Sequence, residues 1–380
     1  MNPEKEQIFL LNDLLRNRID RSNGWIPFDL FFNTVMYEPG LGYYSSGSYK
    51  IGEGGDYTTA PEISKYFSRS IANQTMRLLD MHDSPSVIEI GAGKGTFAFE
   101  YLKALGETET EIEHYYILEI SADLRDRQMQ LIAGLPEDLR NKVTWLESLD
   151  IEPIDGIVLA NEVIDALPFK RFCIENEQVC ELGVTYSGGI FEVSKKESSK
   201  KLRDEVDAIS VEIKRKIEDG FTSEIRLDFH KWFRSISSLI RKGSMIFIDY
   251  GYDRNDFYRS ERSSGNMICH YQNQIIEDPL KNIGRQDISA SVDFTQLANS
   301  AIEEGFFIDL FTTQSMFVLG EQSLNMIMDI EKDEERIMEI QKLKQLVMPN
   351  QMGDVFKCMV MGKGISPDNF EELSHLTHTL

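Results

Sequence analysis

The chain has 380 residues, of which 41% are apolar and 27% charged, a composition that predicts a globular protein with one large domain and insertions, or with two domains. Its formal net charge of −23 argues against binding to nucleic acid, because such binding depends on cationic side chains that neutralise phosphates. No apolar run approaches the length that crosses a membrane.

The cysteines and histidines give no pattern typical of a metal site. The four cysteines contain no C-x-x-C pair, and the six histidines show no H-x-x-x-H spacing. Scattered cysteines are typical of a reducing compartment. The first residues, MNPEKEQIFLL, lack the features of a secretion or transit signal. We therefore expect a cytoplasmic protein without a bound metal.

The N-terminal part of the sequence predicts two helices followed by an irregular loop. Helical patterns cover Glu4–Asp20 and Pro27–Tyr37, and a loop rich in glycine, tyrosine and serine follows. Thr59-Ala60-Pro61-Glu62 is a T-x-x-E capping box, so a helix is predicted to begin there. The cap explains Glu62 locally, although so long an irregular loop is also typical of a lid or pocket wall.

A buried strand then runs into a glycine loop, VIEIGAGKGT, at Val87–Thr96. The loop does not fit the phosphate-binding P-loop, because Ile88 stands where that motif has its first glycine and Gly95 where it has serine or threonine. It fits the dinucleotide fingerprint only in part, since Thr96 replaces the third glycine. The pattern acid-x-G-x-G-x-G fits fully, and it suits S-adenosylmethionine, whose amine an acid can meet. The candidate cofactor residues are Glu89, Gly91, Gly93 and Gly95. A tight strand-to-helix turn without a ligand is the alternative.

The next strand-like run ends in an acid, Glu119. It lies a little over twenty residues beyond the glycines, where an acidic residue can bind both hydroxyls of an adenosine ribose. NAD and S-adenosylmethionine share this requirement, so Glu119 does not separate the two cofactors.

Strands and helices alternate through this part of the chain, which predicts a parallel sheet with helices on both faces. The predicted strands are Val87–Ile90, Tyr116–Glu119, Val143–Leu146, Gly156–Ala160 and Met245–Tyr250, and the helices between the early ones are Thr96–Leu105 and Ser121–Ala133.

Polar residues follow the fourth strand directly: Asn161, Glu162 and Asp165. Ligands of open α/β sheets bind at the carboxyl ends of the strands. We predict that both acids lie in the first turn of a helix, where they could hold a cationic nitrogen nucleophile and accept its proton. Helix capping by Asn161 and the acids' interaction with the helix dipole are the alternative explanation.

An insertion separates the fourth strand from the fifth. Phe172–Ser194 alternates apolar and polar residues around Ser187-Gly188-Gly189, which predicts a β-hairpin. The later predictions are helices at Lys196–Glu218, Ser223–Arg241 and Glu321–Val347, and strands at Phe306–Thr313 and Val355–Met361.

Several ordered sequence blocks resemble those of the MidA family of class I S-adenosylmethionine-dependent methyltransferases, which include the mitochondrial complex I assembly factor that methylates a protein arginine. The blocks, which lie between Phe28 and Lys363, are GYYSSG, GDYTTAPEIS, VIEIGAGKG, LANEVIDALP, FIDYGY, DPLKNIGRQDISASVDF and MGDVFKCMVM. Two positions depart from the family pattern: Ala60 replaces the serine of T-S-P-E, and Ser291 replaces a histidine before V-D-F.

The resemblance implies an α/β fold with a Rossmann-like seven-stranded class I methyltransferase sheet. It implies S-adenosylmethionine at Gly91, Gly93 and Gly95, with Glu119 on the ribose. The residues that the resemblance implies for the reaction cleft, with a role in holding a guanidinium, are Glu62, Asn161, Glu162 and Asp165. We predict four parts of the chain: an N-terminal helical and lid segment (1–84), a methyltransferase domain (85–170 and 243–363), an inserted α+β subdomain (171–242) and a C-terminal tail (364–380).

The predicted function is methylation of an arginine in a basic protein, for example a respiratory-complex subunit. One alternative is a non-catalytic assembly chaperone that keeps the fold and binds a basic partner. A dinucleotide oxidoreductase is a further alternative, which the missing third glycine disfavours.

Overall fold

The computed structural model describes residues 3–46, 58–319, 321–349, 351–365 and 376–380. Most of the predicted glycine-rich N-terminal loop (47–57) and most of the predicted tail (366–375) lie outside these residues.

The strands are β1 (Ile26–Pro27), β2 (Ser86–Ile90), β3 (Tyr115–Leu118), β4 (Val143–Leu146), β5 (Ile154–Asn161), β6 (Lys170–Glu175), β7 (Gln178–Ser187), β8 (Ile190–Glu197), β9 (Thr222–Ile225), β10 (Ile240–Tyr252), β11 (Met267–Tyr271), β12 (Gln274–Ile276), β13 (Asp287–Ala290), β14 (Val292–Asp293), β15 (Phe307–Thr313) and β16 (Phe356–Lys363). The α-helices are α1 (Pro3–Arg21), α2 (Phe28–Tyr37), α3 (Ala60–Ile63), α4 (Lys65–Leu79), α5 (Thr96–Gly106), α6 (Ala122–Ile132), α7 (Glu137–Arg140), α8 (Lys200–Glu212), α9 (Phe229–Ser237), α10 (Arg254–Phe257), α11 (Phe294–Glu303), α12 (Gln314–Val318), α13 (Glu321–Met328), α14 (Asp333–Val347) and α15 (Met352–Val355).

The chain forms two compact units, each built from several segments. The first contains Met1–Tyr57, Ile164–Phe229 and Tyr252–Asp293, and the second contains Thr58–Val163, His230–Gly251 and Phe294–Leu380. This grouping differs from the four predicted parts. Residues 58–84, predicted with the N-terminal segment, fall in the second unit, where Arg69 of α4 pairs with Glu100 of α5 at 3.0 Å.

The second unit is built on a mixed sheet with the strand order β15-β16-β10-β5-β2-β3-β4. Strands β4, β3, β2, β5 and β10 are parallel, whereas β16 runs antiparallel to both of its neighbours, β10 and β15. All five residues of β2 are buried, as expected for a central parallel strand covered on both faces. The parallel arrangement brings the carboxyl ends of these five strands to one edge, which positions the candidate site.

The first unit contains an antiparallel sheet in the order β1-β7-β6-β9, with β8 also paired to β7, and a second small sheet in the order β12-β11-β13. The predicted hairpin is present. Ser187 pairs with Ile190 across Gly188 and Gly189, whose φ angles of 61° and 92° suit the tight turn.

The three helices predicted beyond residue 195 require correction. The helix predicted at Ser223–Arg241 is wrong, because Ser223 and Glu224 are buried in β9 and pair with β6, and residues from Ile240 belong to β10. The remaining helix, α9, covers only Phe229–Ser237.

The helix predicted at Lys196–Glu218 is shorter, since Lys196 and Glu197 extend β8 opposite β7 and α8 ends at Glu212. The long helix predicted at Glu321–Val347 is two helices, α13 and α14. Acidic residues occupy the first turn of α14, where they stabilise a helix N-terminus. Arg336 also donates a hydrogen bond of 2.9 Å to the Ile330 carbonyl, which precedes α14.

No helix in the described ranges has both the length and the apolar character needed to cross a membrane. Within the same ranges, no group of three or more metal-ligating side chains could hold an ion.

Candidate active site

The glycine loop joins β2 to α5 in the second unit. Its glycines Gly91, Gly93 and Gly95 have φ angles of 68°, 53° and 88°, the left-handed region that side chains disfavour. A Cβ on Gly91 would lie 3.2 Å from the Val163 side chain, and one on Gly95 would lie 3.2 Å from Gln128. The loop therefore presents bare backbone at the N-terminus of α5, where a ligand can approach closely.

Glu62 braces this loop. A helix begins after Thr59 as predicted, but the Thr59 side chain makes no capping bond, so the predicted capping box is wrong. The Glu62 carboxylate instead accepts a hydrogen bond from the Thr96 hydroxyl, and its other oxygen lies 3.3 Å from Lys94 Nζ. Lys94 lies between the last two glycines and Thr96 follows the third. Glu62 is more than thirty residues away from both in the chain, so this contact could not be read from local sequence.

Glu89 lies inside the sheet, in β2, with 4% of its surface exposed. The Tyr115 hydroxyl donates a hydrogen bond of 2.7 Å to its carboxyl group. Burial raises the pKa of Glu89 to about 8, with the bond from Tyr115 opposing the shift and the nearby Glu119 adding to it. The predicted contact of Glu89 with a cofactor amine stays a prediction.

Glu119 follows β3 at the carboxyl edge of the sheet and is 8% exposed. One carboxylate oxygen accepts a bond from the Ser121 amide at 2.9 Å, and the other accepts one from Gln128 Nε2 at 3.0 Å. Burial raises the pKa of Glu119, and these hydrogen bonds oppose the shift.

Gln128 and Trp145 are site residues that the sequence analysis missed. Gln128 Nε2 also donates to the Gly93 carbonyl at 2.8 Å, and the Trp145 indole donates to Gln128 Oε1 at 2.9 Å. The available signal was a polar residue on an apolar helix stripe, since Gln128 stands four residues after Leu124 and four before Ile132.

Asn161 is the last residue of β5 and Glu162 comes directly after it, at the same edge of the sheet. The helix predicted at these residues is wrong. Asn161 still pairs with Ile248 of β10, and the Glu162 amide donates to the Ile248 carbonyl at 2.8 Å. The ladder therefore keeps the backbone extended up to Glu162, whose φ of 53° then turns the chain. Asn161 Nδ2 lies 3.2 Å from Glu162 Oε1, and Asn161 Oδ1 is buried without a hydrogen-bond donor among the described residues.

Asp165 belongs to the first unit. No helix covers residues 162–165, so Asp165 does not share a helix face with Glu162 as predicted. Its backbone carbonyl accepts bonds from the Ala290 amide and from Arg226 Nη2, both at 3.1 Å. Nη1 of the same guanidinium donates to the Ser291 carbonyl at 3.0 Å. Ser291 is the position at which the MidA family has a histidine.

At one edge of the sheet, the second unit thus combines a bare glycine loop, a buried acid after β3 and polar acceptors after β5. Residues 70–312 match the family of S-adenosyl-L-methionine-dependent methyltransferases, and the chain belongs to it. This finding confirms the class predicted from the sequence, and the fold is that of a class I methyltransferase.

The chain is also similar to two curated relatives and to one solved structure. The protein arginine methyltransferase NDUFAF7 homolog, mitochondrial, of Drosophila melanogaster is 25% identical over 90% of this chain and 83% of its own length. The corresponding Danio rerio protein is 24% identical over 86% of this chain and 81% of its own length. A protein from Burkholderia thailandensis, solved with bound S-adenosyl-homocysteine, has a TM-score of 0.93 and 29% identity, with 100% of this chain and 99% of that one covered.

These comparisons show an S-adenosylmethionine-dependent methyltransferase, as predicted, rather than a dinucleotide enzyme. The cofactor supplies a methyl group carried on a positively charged sulfur. The site fits such a ligand. The three left-handed glycines provide backbone that a ligand can approach, and the buried Glu119 carboxylate provides acceptors for ribose hydroxyls.

Proposed function

We propose that this protein is a protein arginine methyltransferase. In this proposal the glycine loop and Glu119 hold S-adenosylmethionine, and the arginine side chain of a protein substrate binds at Asn161 and Glu162. The names of the relatives support arginine as the acceptor, although their identities to this chain are low, at 25% and 24%.

The pair of acceptors at the end of β5 carries the proposal. Asn161 Oδ1 is buried without a donor among the described residues, and the Glu162 carboxylate lies beside the same side chain. A buried acceptor without a partner is costly, so it favours a ligand that supplies a hydrogen-bond donor. An arginine side chain carries five N–H donors in a planar fork and no acceptor, which suits two neighbouring acceptor groups.

Glu162 is the proposed proton acceptor. Arginine is nearly always protonated, whereas methyl transfer requires a lone pair on the attacking nitrogen. A carboxylate hydrogen-bonded to the guanidinium favours positive charge on the neighbouring nitrogens and accepts the proton as the new N–C bond forms. Glu62 is less suited to this role, because both its oxygens already contact the glycine loop. A catalytic role for Asp165 stays a prediction.

The net charge of −23 supports a basic protein as the substrate, since opposite charges favour encounter. A respiratory-complex subunit and a cytoplasmic location remain predictions from the sequence.

The test uses the purified full chain, S-adenosylmethionine with a labelled methyl group, and an extract from cells that lack the endogenous enzyme. We expect labelled methylarginine after acid hydrolysis of the extract proteins. Glu162→Gln should slow the transfer by roughly 10²-fold, because it keeps the shape and removes the base. Its affinity for S-adenosylmethionine should be unchanged, since other residues hold the cofactor.

Glu111→Gln is the matched control, because Glu111 is an exposed acid that precedes β3 at the opposite end of the strand from Glu119. Label in lysine or in small molecules would contradict arginine as the acceptor. Tight cofactor binding without any transfer would favour the non-catalytic chaperone.

A further inference from the structure

The Gln128 side chain connects three parts of the cofactor side of the sheet. It lies on α6, is fully buried, and contacts the loop after β2, the acid after β3 and the indole of β4. The three hydrogen bonds measure 2.8 Å to the Gly93 carbonyl, 3.0 Å to Glu119 Oε2 and 2.9 Å from Trp145 Nε1.

These partners allow only one orientation of the Gln128 amide. Gly93 and Glu119 present acceptors, so both need the NH₂ group, which has two hydrogens to give. Trp145 has only an N–H donor, so it needs the amide oxygen. A flipped amide would place its oxygen against the Gly93 carbonyl and the Glu119 carboxylate, and would leave Trp145 without an acceptor.

The amide in turn orients two groups on the proposed cofactor surface. A trans peptide points its carbonyl and its N–H in opposite directions, so holding the Gly93 carbonyl toward Gln128 directs the Lys94 amide away from it. Glu119 accepts one bond on each oxygen, from Ser121 and from Gln128. A carboxylate has about four acceptor positions, so both oxygens keep acceptor capacity in a fixed orientation.

We propose that Gln128 is a positioning residue for the methyl donor, and that Trp145 holds its amide in the required orientation. Gln128 fixes the glycine loop and the ribose-binding carboxylate together before the cofactor binds, so binding does not have to order them. This inference concerns the methyl donor alone and does not depend on which acceptor is methylated.

The test measures the dissociation constants of S-adenosylhomocysteine and of its 2′-deoxyadenosyl counterpart by calorimetry on the full chain. Gln128→Leu should weaken S-adenosylhomocysteine by roughly 10-fold or more, as expected when the carboxylate loses a hydrogen bond. It should weaken the deoxy compound less, so the preference for the ribose shrinks. Trp145→Phe should act in the same direction by roughly 2- to 5-fold, because the amide oxygen then loses its donor and the amide is held less firmly.

The double variant separates positioning from packing. If Trp145 acts through the amide, Gln128→Leu with Trp145→Phe should bind no more weakly than Gln128→Leu alone. Gln130→Leu is the matched control, since Gln130 lies on the same helix and is exposed. It should leave both dissociation constants and their ratio unchanged.

A folded Gln128→Leu variant with the wild-type preference for the ribose would overturn the proposal, even if it bound both compounds more weakly. If Gln128→Leu does not fold, Trp145→Phe decides: a reduced preference for the ribose supports the proposal, and the wild-type preference overturns it.

Discussion

Glu89 is an ionisable group sealed inside the sheet, and its protonation links stability to pH. Burial raises its pKa from the ordinary 4.5 to about 8, so between these values the folded chain binds a proton that the unfolded chain has released. The stabilisation is complete below pH 4.5 and is lost as the pH rises toward about 8.

We predict that Glu89→Gln removes this dependence, because an amide imitates the neutral carboxyl group beside Tyr115. The variant should gain stability relative to the wild type as the pH increases, by at most about 1.4 kcal/mol for each pH unit. Denaturant unfolding of both proteins between pH 5 and 9, without cofactor, gives the difference. Glu111→Gln is the exposed control, and a constant difference across this range would contradict the assigned protonation.

At the same scale, the three glycines and Glu119 lie at one sheet edge, whereas Glu89 lies inside the sheet. Glycine spacing and a strand-terminal acid are local signals, so these residues could be chosen from the sequence. The roles of Glu62 and Gln128 were not accessible in this way. Their contacts reach Thr96 and Gly93, which are 34 and 35 residues away in the chain, and only the packed structure brings them together.

At the scale of elements, the neighbouring strands β2, β5 and β10 leave no room for a side chain at two glycines. Gly156 of β5 has a φ of 138°, and a Cβ there would lie 2.1 Å from the Ser86 carbonyl oxygen of β2. Gly243 of β10 has a φ of 141°, and its Cβ would lie 1.9 Å from the Gly156 oxygen. Both obstacles are backbone atoms, which cannot move without breaking the sheet.

We predict that Gly156→Ala lowers the free energy of unfolding by more than about 3 kcal/mol, because the strands must separate to admit the methyl group. Gly188→Ala is the control, since Gly188 lies in a hairpin turn with nothing within 4 Å of the added Cβ. It should cost only about 1 kcal/mol, the penalty for a left-handed alanine. Thermal unfolding of the two variants distinguishes them, and equal losses would contradict the close approach.

The parallel strands of the central sheet were predicted from sequence, because buried parallel strands produce short apolar runs. The helix predicted at Ser223–Arg241 is wrong because the conformation of its first residues depends on a partner strand distant in the sequence. Ser223 and Glu224 are polar residues whose strand conformation is set by pairing with β6, some fifty residues earlier, and Glu224 is further held by Arg171 at 3.1 Å. Local periodicity carries no information about such a partner.

At the scale of the whole molecule, β16 is an interior strand of the sheet in the second unit, where it lies between β15 and β10. Val360 lies opposite Ile246 of β10 on one side and Leu310 of β15 on the other. We predict that Val360→Pro prevents stable folding of this unit, at a cost of roughly 3 kcal/mol or more, because proline lacks the amide donor and its ring disturbs the ladder.

The matched control is Val193→Pro in β8, a strand that pairs only with β7 among the described residues. Proline is tolerated better on such an edge, so this variant should stay soluble and keep its affinity for S-adenosylmethionine. Soluble, cofactor-binding Val360→Pro protein would contradict the interior position of β16.

The place of β16 also determines when the protein can fold during its synthesis. The ribosome releases β10 more than a hundred residues before Phe356–Lys363, so the edge of β10 that β16 later covers is exposed while the intervening chain is made. At translation speeds of about 5–20 residues per second, this interval lasts about 5 to 20 seconds. During it, the nascent chain presents an open strand edge of the kind that invites association with other chains. The sheet of the second unit can therefore be completed only after its last strand has been released.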